Sequence, residues 1–350
     1  MRVMLKNEKI FITGGAGYLG QYLIKRYYSK NDITVFSRDE AKHYFLQKHY
    51  PKVRCIIGDI RNFDLLNASM KGHTIGIFAA SMKQIEAVDQ NVEEALQVIV
   101  HGAINSRKAA VRNNLEASVF ISSDKSRCAT TLYGAMKFVA GEAFVINAER
   151  EKCRLSTVIY GNVWNSHGSI IPLFWDSIKK GYELTLYSEE MTRFMINIEK
   201  AIDCIEFALK QDGYNVIPNL KSFKVKDLFE IYAEEFGLKW RVGVPRISEK
   251  THEQMISPYE MERAKYDKKN DMYLLNYKTV YNEGRLPSLG LCSSYCLVSK
   301  KELDDILKKY NYFQPQGLRP PAYLQSLNQP SVQNIHRNKM NGHLGTLKFY

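Results

Sequence analysis

The sequence predicts an α/β protein, a Rossmann-type doubly wound parallel sheet with a smaller C-terminal substrate domain. Two observations carry this expectation. Short β-branched runs alternate with amphipathic helical stretches over the first 160 or so residues, the rhythm of βαβ units. The first of these runs leads straight into a glycine-rich turn, Thr13-Gly14-Gly15-Ala16-Gly17-Tyr18-Leu19-Gly20.

In chain order, strands are predicted at 9–13, 33–36, 53–58, 74–79, 118–122 and 155–160, with a helix opening at about Tyr18. After about residue 164 the pattern turns irregular: short strands at 183–187 and 222–225 lie among helices at 198–209 and 226–236. The domain expectation is therefore a mainly dinucleotide-binding unit over 1–164 and a mainly substrate-binding, interleaved unit over 165–312. Residues 313–350 contain Pro315, Pro320, Pro321 and Pro330 without periodicity and are expected to form a poorly ordered tail or docking arm.

Composition narrows the class. The chain has 350 residues, 45% of them hydrophobic, enough to bury a full core. No apolar stretch approaches the ~20 residues of a membrane span, and charges interrupt any signal core among the first twelve residues. A cytoplasmic protein with no membrane contact is expected. The net charge of +12 comes from lysines and arginines spread along the chain, which suits an anionic small substrate and not a nucleic-acid partner. Cys55, Cys128, Cys153, Cys204, Cys292 and Cys296 lack metal-ligand spacing, so reduced thiols and no metal are expected.

The glycine-rich turn sits where a dinucleotide needs it: its glycines admit the pyrophosphate and the following helix offers amide donors. Thr13, Gly14, Gly15, Gly17, Tyr18, Leu19 and Gly20 are the candidate cofactor contacts. The second strand ends Ser37-Arg38, where an NAD enzyme usually places a carboxylate. A hydroxyl followed by a guanidinium suits a 2′-phosphate, favouring NADP over NAD, although Asp39 lies close by. Asp59 and Ile60 end the third strand, and Asp59 is read either as an adenine contact or as a turn cap.

Tyr133-Gly-Ala-Met-Lys137 puts a phenol and an ammonium on one helical face, so that a cation can stabilise phenolate. It follows a buried strand ending Ser122-Ser123-Asp124-Lys125, where an α/β sheet forms its ligand crevice. A glycine-rich turn, a strand ending in Ser-Ser and Tyr-x3-Lys together resemble the extended short-chain dehydrogenase/reductases. The added Asp124-Lys125 pair resembles the UDP-N-acetylglucosamine 4,6-dehydratases of the CapD-like polysaccharide-biosynthesis family, including the inverting type. Blocks beginning at Phe36, Gly58, Ala79, Tyr160, Gly168, Met191 and Ser248 extend the resemblance from about residue 8 to about 310.

The resemblance implies that Tyr133, helped by Lys137, takes the carbon 4 hydroxyl proton of a UDP-sugar as hydride leaves for NADP. Lys125 then removes the carbon 5 proton, Asp124 protonates the departing carbon 6 hydroxyl, and hydride returns to carbon 6. Ser123 would hydrogen-bond the carbon 4 oxygen. It also implies Ala79, Ala80 and Lys83 at the nicotinamide or sugar, with an exposed loop lysine the other reading of Lys83. Arg193 and Asn162 would meet the diphosphate or sugar, and Glu249 the uridine ribose with His252 nearby.

Three places depart from the family pattern: Ile159 stands for an arginine, Asn165-Ser-His167-Gly for Gly-Ser-Arg-Gly, and Val98-Ile99 for Thr-Asn. Two rival readings remain: a 4-epimerase or dehydrogenase using Tyr133 and Lys137 alone, and a non-catalytic nucleotide-binding protein. A homo-oligomer, dimer or higher, is expected through helices around 94–113 and 133–148, from the stripe Leu96, Ile99, Val100 and Ala103 and from what relatives do.

Overall fold

The protein was analysed as a computed structural model that describes residues 5–166, 168–244, 249–281 and 290–313. Of the tail expected from 313 onward, all but Phe313 lies outside the described residues, as do His167 and Ser248. Its strands run β1 (Lys9–Thr13), β2 (Asp32–Ser37), β3 (Arg54–Ile57), β4 (Ile75–Phe78), β5 (Ala117–Ile121) and β6 (Arg154–Val158). They continue with β7 (Asn162–Val163), β8 (Leu184–Leu186), β9 (Thr192–Ile196), β10 (Asn215–Pro218) and β11 (Ser222–Lys224). The last are β12 (Trp240–Val242), β13 (Gln254–Ile256), β14 (Ala264–Asp267), β15 (Met272–Leu275) and β16 (Leu291–Cys292).

Nine strands make the central sheet in the order β14-β15-β10-β6-β5-β4-β1-β2-β3. From β3 to β10 neighbours are parallel, with Ile12 beside Val35 on one side of β1 and beside Ile77 on the other. β15 and β14 are antiparallel, an edge the sequence reading did not foresee, because each strand is four residues long and a charged turn joins them. Strand order reverses beside β1, so a crevice opens at the carboxyl ends of β1 and β4.

Alternation along these strands sorts the core. Ile10, Ile12, Val35, Ile77, Val119 and Ile121 point to one face, and Phe11, Phe36, Phe78 and Phe120 to the other. The aliphatic face packs on helices Tyr18–Tyr27 and Ile198–Ala208, and the phenylalanine face on Gly102–Arg112 and Leu132–Val145. With both faces covered, the inner strands read as continuous apolar runs. A third core, around Trp164, Phe174, Phe223, Phe229, Tyr232 and Leu307, supports the smaller β7-β9-β11 sheet.

The helix expected around 94–113 is broken. Val92–Leu96 runs through a π-helical turn, Gln97–His101, into Gly102–Arg112. Val98, Ile99 and Val100, all on this turn, are buried in succession. Ile99, Val100 and Ala103 therefore belong to the protein's own core and offer no surface to a partner. Among the described residues, no helix is long and apolar enough to cross a membrane.

Candidate active site

A cavity of about 740 Å³ lies along the carboxyl ends of β1, β2 and β4. Its floor is the glycine-rich turn. Gly14 adopts φ +70, and a Cβ there would lie 2.9 Å from the Ala80 backbone; one at Gly20 would overlap the Gly15 carbonyl. The helix that follows begins at Gly17 with no side-chain cap and no acidic residue in its first turn, leaving its amides for an anion. Backbone approach, bare amides and cavity size fit a dinucleotide.

Gly14, Gly17, Tyr18, Leu19, Gly20, Ser37, Arg38, Asp59, Ile60, Ala79, Ala80, Lys83, Tyr133 and Lys137 all line this cavity. Thr13 and Gly15 support it from beneath: Thr13 Oγ1 accepts the Ala80 amide at 3.3 Å, and Gly15 packs against Val35. At the β2 end, Asp39 caps helix Glu40–His49 by accepting from the Lys42 amide and pairs with Lys42 Nζ at 2.6 Å. Its carboxylate is thus engaged. Ser37 Oγ meets the buried His43 Nε2 at 2.6 Å. Arg38 is 61% exposed and only 3.9 Å from Asp59, so two cations, Arg38 and Lys42, stand at this rim. Asp59 itself accepts from the Arg61 amide and pairs with its guanidinium at 2.7 Å, the turn-capping geometry.

The chemical residues meet at the opposite end. β5 ends in a 3-10 turn, Asp124–Ser126, whose N-cap Ser123 accepts from the Lys125 amide. Ser123 Oγ donates to Asp124 Oδ1 at 2.9 Å and lies within hydrogen-bonding reach of the Tyr133 phenol. Asp124 is 1% exposed, and its Oδ2 has no partner although buried. Burial lifts its pKa, the Lys125 ammonium opposes this, and the neighbouring Glu253 carboxylate adds to it. The balance of these influences favours the protonated acid relative to an exposed aspartate.

Lys125 Nζ lies between two carboxylates, 3.3 Å from Asp124 Oδ1 and 3.5 Å from Glu253 Oε1. Burial disfavours its charge, but Asp124 and Glu253 outweigh that and raise its pKa. Lys137 is different. Its ammonium donates to the Ile121 carbonyl at 2.9 Å and sits 4.7 Å above the Phe120 ring, and burial pushes its pKa down to about 7. The Tyr133 phenol is raised by burial, with the Lys125 charge as the main opposing influence.

The remaining sequence candidates surround this cluster. Asn162 is half-buried on β7. Arg193 on β9 is buried with its donors engaged: Nη1 by the Thr192 and Thr251 carbonyls, Nη2 by Glu249 at 2.6 Å, and Nε 3.8 Å from Glu253. His252 is exposed and its Nδ1 meets Thr192 Oγ1 at 2.9 Å. Glu253 and Lys250 were not singled out from the sequence; Glu253 lies buried just before β13. Lys250 Nζ donates to the Arg127 carbonyl at 2.7 Å, tying this segment to the residue after the Asp124–Ser126 turn. Among the described residues, no cluster of three or more His, Cys, Asp or Glu could hold a metal ion.

A family profile described as polysaccharide biosynthesis protein matches residues 10–275. The chain belongs to the polysaccharide biosynthesis protein family. One curated relative, the inverting UDP-N-acetylglucosamine 4,6-dehydratase of Campylobacter jejuni, is 34% identical over 73% of this chain and 79% of its own length. A UDP-glucose 4-epimerase of Rickettsia massiliae is 30% identical over 86% of the chain and 94% of its own length. Among solved structures, Pen from Bacillus thuringiensis superposes with TM-score 0.81 at 27% identity, covering 89% of this chain and all of that one. This polysaccharide biosynthesis protein is therefore an enzyme of the sugar-nucleotide dehydratase and epimerase group with the short-chain dehydrogenase/reductase fold.

Proposed function

We propose that this protein is an NADP-dependent UDP-N-acetylglucosamine 4,6-dehydratase, forming a UDP-2-acetamido-2,6-dideoxy-4-hexulose. The observation that carries this reading is the buried Asp124–Lys125 pair beside Tyr133, with an Asp124 oxygen left unpartnered. Oxidation at carbon 4 needs one base; loss of water across carbons 5 and 6 needs a further base and an acid. The 34% identity to a dehydratase of that name supports the same reading.

Bound NADP would supply the acceptor for the carbon 4 hydrogen and its return to carbon 6, while Lys125 gives a proton, exchanged with solvent, back to carbon 5. Tyr133 accepts the carbon 4 hydroxyl proton while Ser123 holds that oxygen. The ketone acidifies carbon 5, whose proton passes to Lys125. Asp124 gives its proton to the leaving carbon 6 hydroxyl, which departs as water. Lys125 works as a base only after shedding its own proton, and Asp124 Oδ1 at 3.3 Å is near enough to receive it. Exclusion of water by bound sugar favours this neutral pair over the ion pair. Arg38 and Lys42 support NADP over NAD, since both acidic groups at this rim are engaged, Asp39 by its cap and Lys42, and Asp59 by Arg61.

The kinship with UDP-glucose 4-epimerases supports a second reading, epimerisation at carbon 4 through Tyr133 and Lys137 without Asp124. Mass spectrometry of UDP-N-acetylglucosamine after incubation separates the two. Dehydration lowers the mass by one water; epimerisation leaves it unchanged.

A further inference from the structure

We propose that Glu253 is a positioning residue for the Asp124–Lys125 pair, fixing the Lys125 ammonium as a second carboxylate contact and biasing the proton that the pair exchanges. The inference rests on the dehydratase reading. Glu253 is buried, its amide donates to Ser293 Oγ at 2.8 Å, and Ser293 is in turn held by Thr192, so the main chain beneath it is pinned.

Its carboxylate faces three cations: Lys125 at 3.5 Å from the catalytic turn, Arg193 at 3.8 Å from β9, and Lys250 at 3.6 Å on its own segment. Arg193 and Lys250 already have closer acceptors, in Glu249, the Thr192 and Thr251 carbonyls, and the Arg127 carbonyl. Glu253 is therefore more than a counter-ion to them. Its Oε2 is buried without a hydrogen bond, with Lys250 Nζ beside it at 3.6 Å.

The chemistry gives this placement a use. When the carbon 5–hydrogen bond breaks, its electrons form the carbon 5–carbon 6 double bond and its proton goes to Lys125. The carbon 6–oxygen bond breaks and the hydroxyl leaves as water with the Asp124 proton. An ammonium and a carboxylate appear together next to Glu253. A fixed negative charge there stabilises the new ammonium, making Lys125 a stronger base, and disfavours the Asp124 anion, keeping Asp124 protonated beforehand. The groups facing Glu253 are thus Lys125, Asp124, Arg193 and Lys250, with Tyr133 coupled through Lys125.

The test is Glu253→Gln in the full chain with NADP, which removes the charge and keeps the shape. The readout is the pH profile of solvent deuterium entering carbon 5 of UDP-N-acetylglucosamine. Both limbs are expected to move to lower pH by about one unit, with kcat down about tenfold and KM changed less. Glu253→Asp, which keeps the charge on a shorter arm, should give limbs between wild type and Glu253→Gln. A folded Glu253→Gln with wild-type limbs overturns the proposal. If that variant does not fold, Glu253→Asp decides: wild-type kcat and unmoved limbs overturn it. Wild-type protein that puts no deuterium at carbon 5 overturns the dehydratase reading itself, and this inference with it.

Discussion

Asp124 and Lys137 are both buried ionisable groups, to which the proposed reaction gives different tasks. Asp124 is needed only once water leaves, so Asp124→Asn should lower dehydration about 10²- to 10⁴-fold while carbon 4 oxidation persists. Accumulation of reduced-nicotinamide absorbance in single-turnover mixtures would show this. Lys137 is a charge buried at a cost to stability. Its folded pKa of about 7 lies below the ordinary 10.5, so the cost is complete below pH 7. Between 7 and 10.5 the unfolded chain binds the extra proton, and wild-type stability rises with pH. Lys137→Met should therefore abolish turnover yet raise Tm by about 2 °C or more at pH 6, a gain that disappears near pH 10. Thermal melts of both proteins across that range check the sign.

Elements hold these residues in place, and one buried contact set does much of it. Arg127 ends the catalytic turn and reaches Glu260 at 2.9 Å, Glu142 at 3.1 Å and the Tyr277 hydroxyl at 2.7 Å, tying the turn to helix Leu132–Val145 and to the chain after β13. Arg127→Met leaves two carboxylates without their cation and should cost about 3–5 kcal/mol in urea unfolding. Some of this was legible in the sequence. Strands β1 to β6 showed as apolar runs because both sheet faces are covered, and the glycine turn showed because only glycine fits at positions 14 and 20. Tyr133 and Lys137 share a helix face, which spacing reveals. The π-helical turn was hidden because its sequence, Gln97–His101, has no glycine, proline or other break to set it apart from ordinary helix. Glu253 was hidden because its partners are 128 residues back, at Lys125, and 60 back, at Arg193. Distant pairing leaves no local pattern.

On the scale of the whole molecule, the apolar side chains exposed on the two helical segments share only Leu96 with those the sequence suggested. Leu132, Phe138, Val139 and Ile146 are exposed along one helix, with Val92 and Leu96 on the other segment, while Ile99, Val100 and Ala103 of the expected stripe are interior. We propose that this face joins two copies of the chain, and Phe138→Glu should then convert a dimer to a monomer in light scattering with its circular dichroism spectrum unchanged. The account as a whole stands on the sugar losing water through carbon 5. The most direct measurement is proton NMR of UDP-N-acetylglucosamine incubated with the protein and NADP in heavy water. The account predicts a new carbon 6 methyl signal with deuterium at carbon 5, and ring couplings in the product that report its configuration there. An unchanged carbon 6 methylene, in a sample shown to bind NADP, would contradict it.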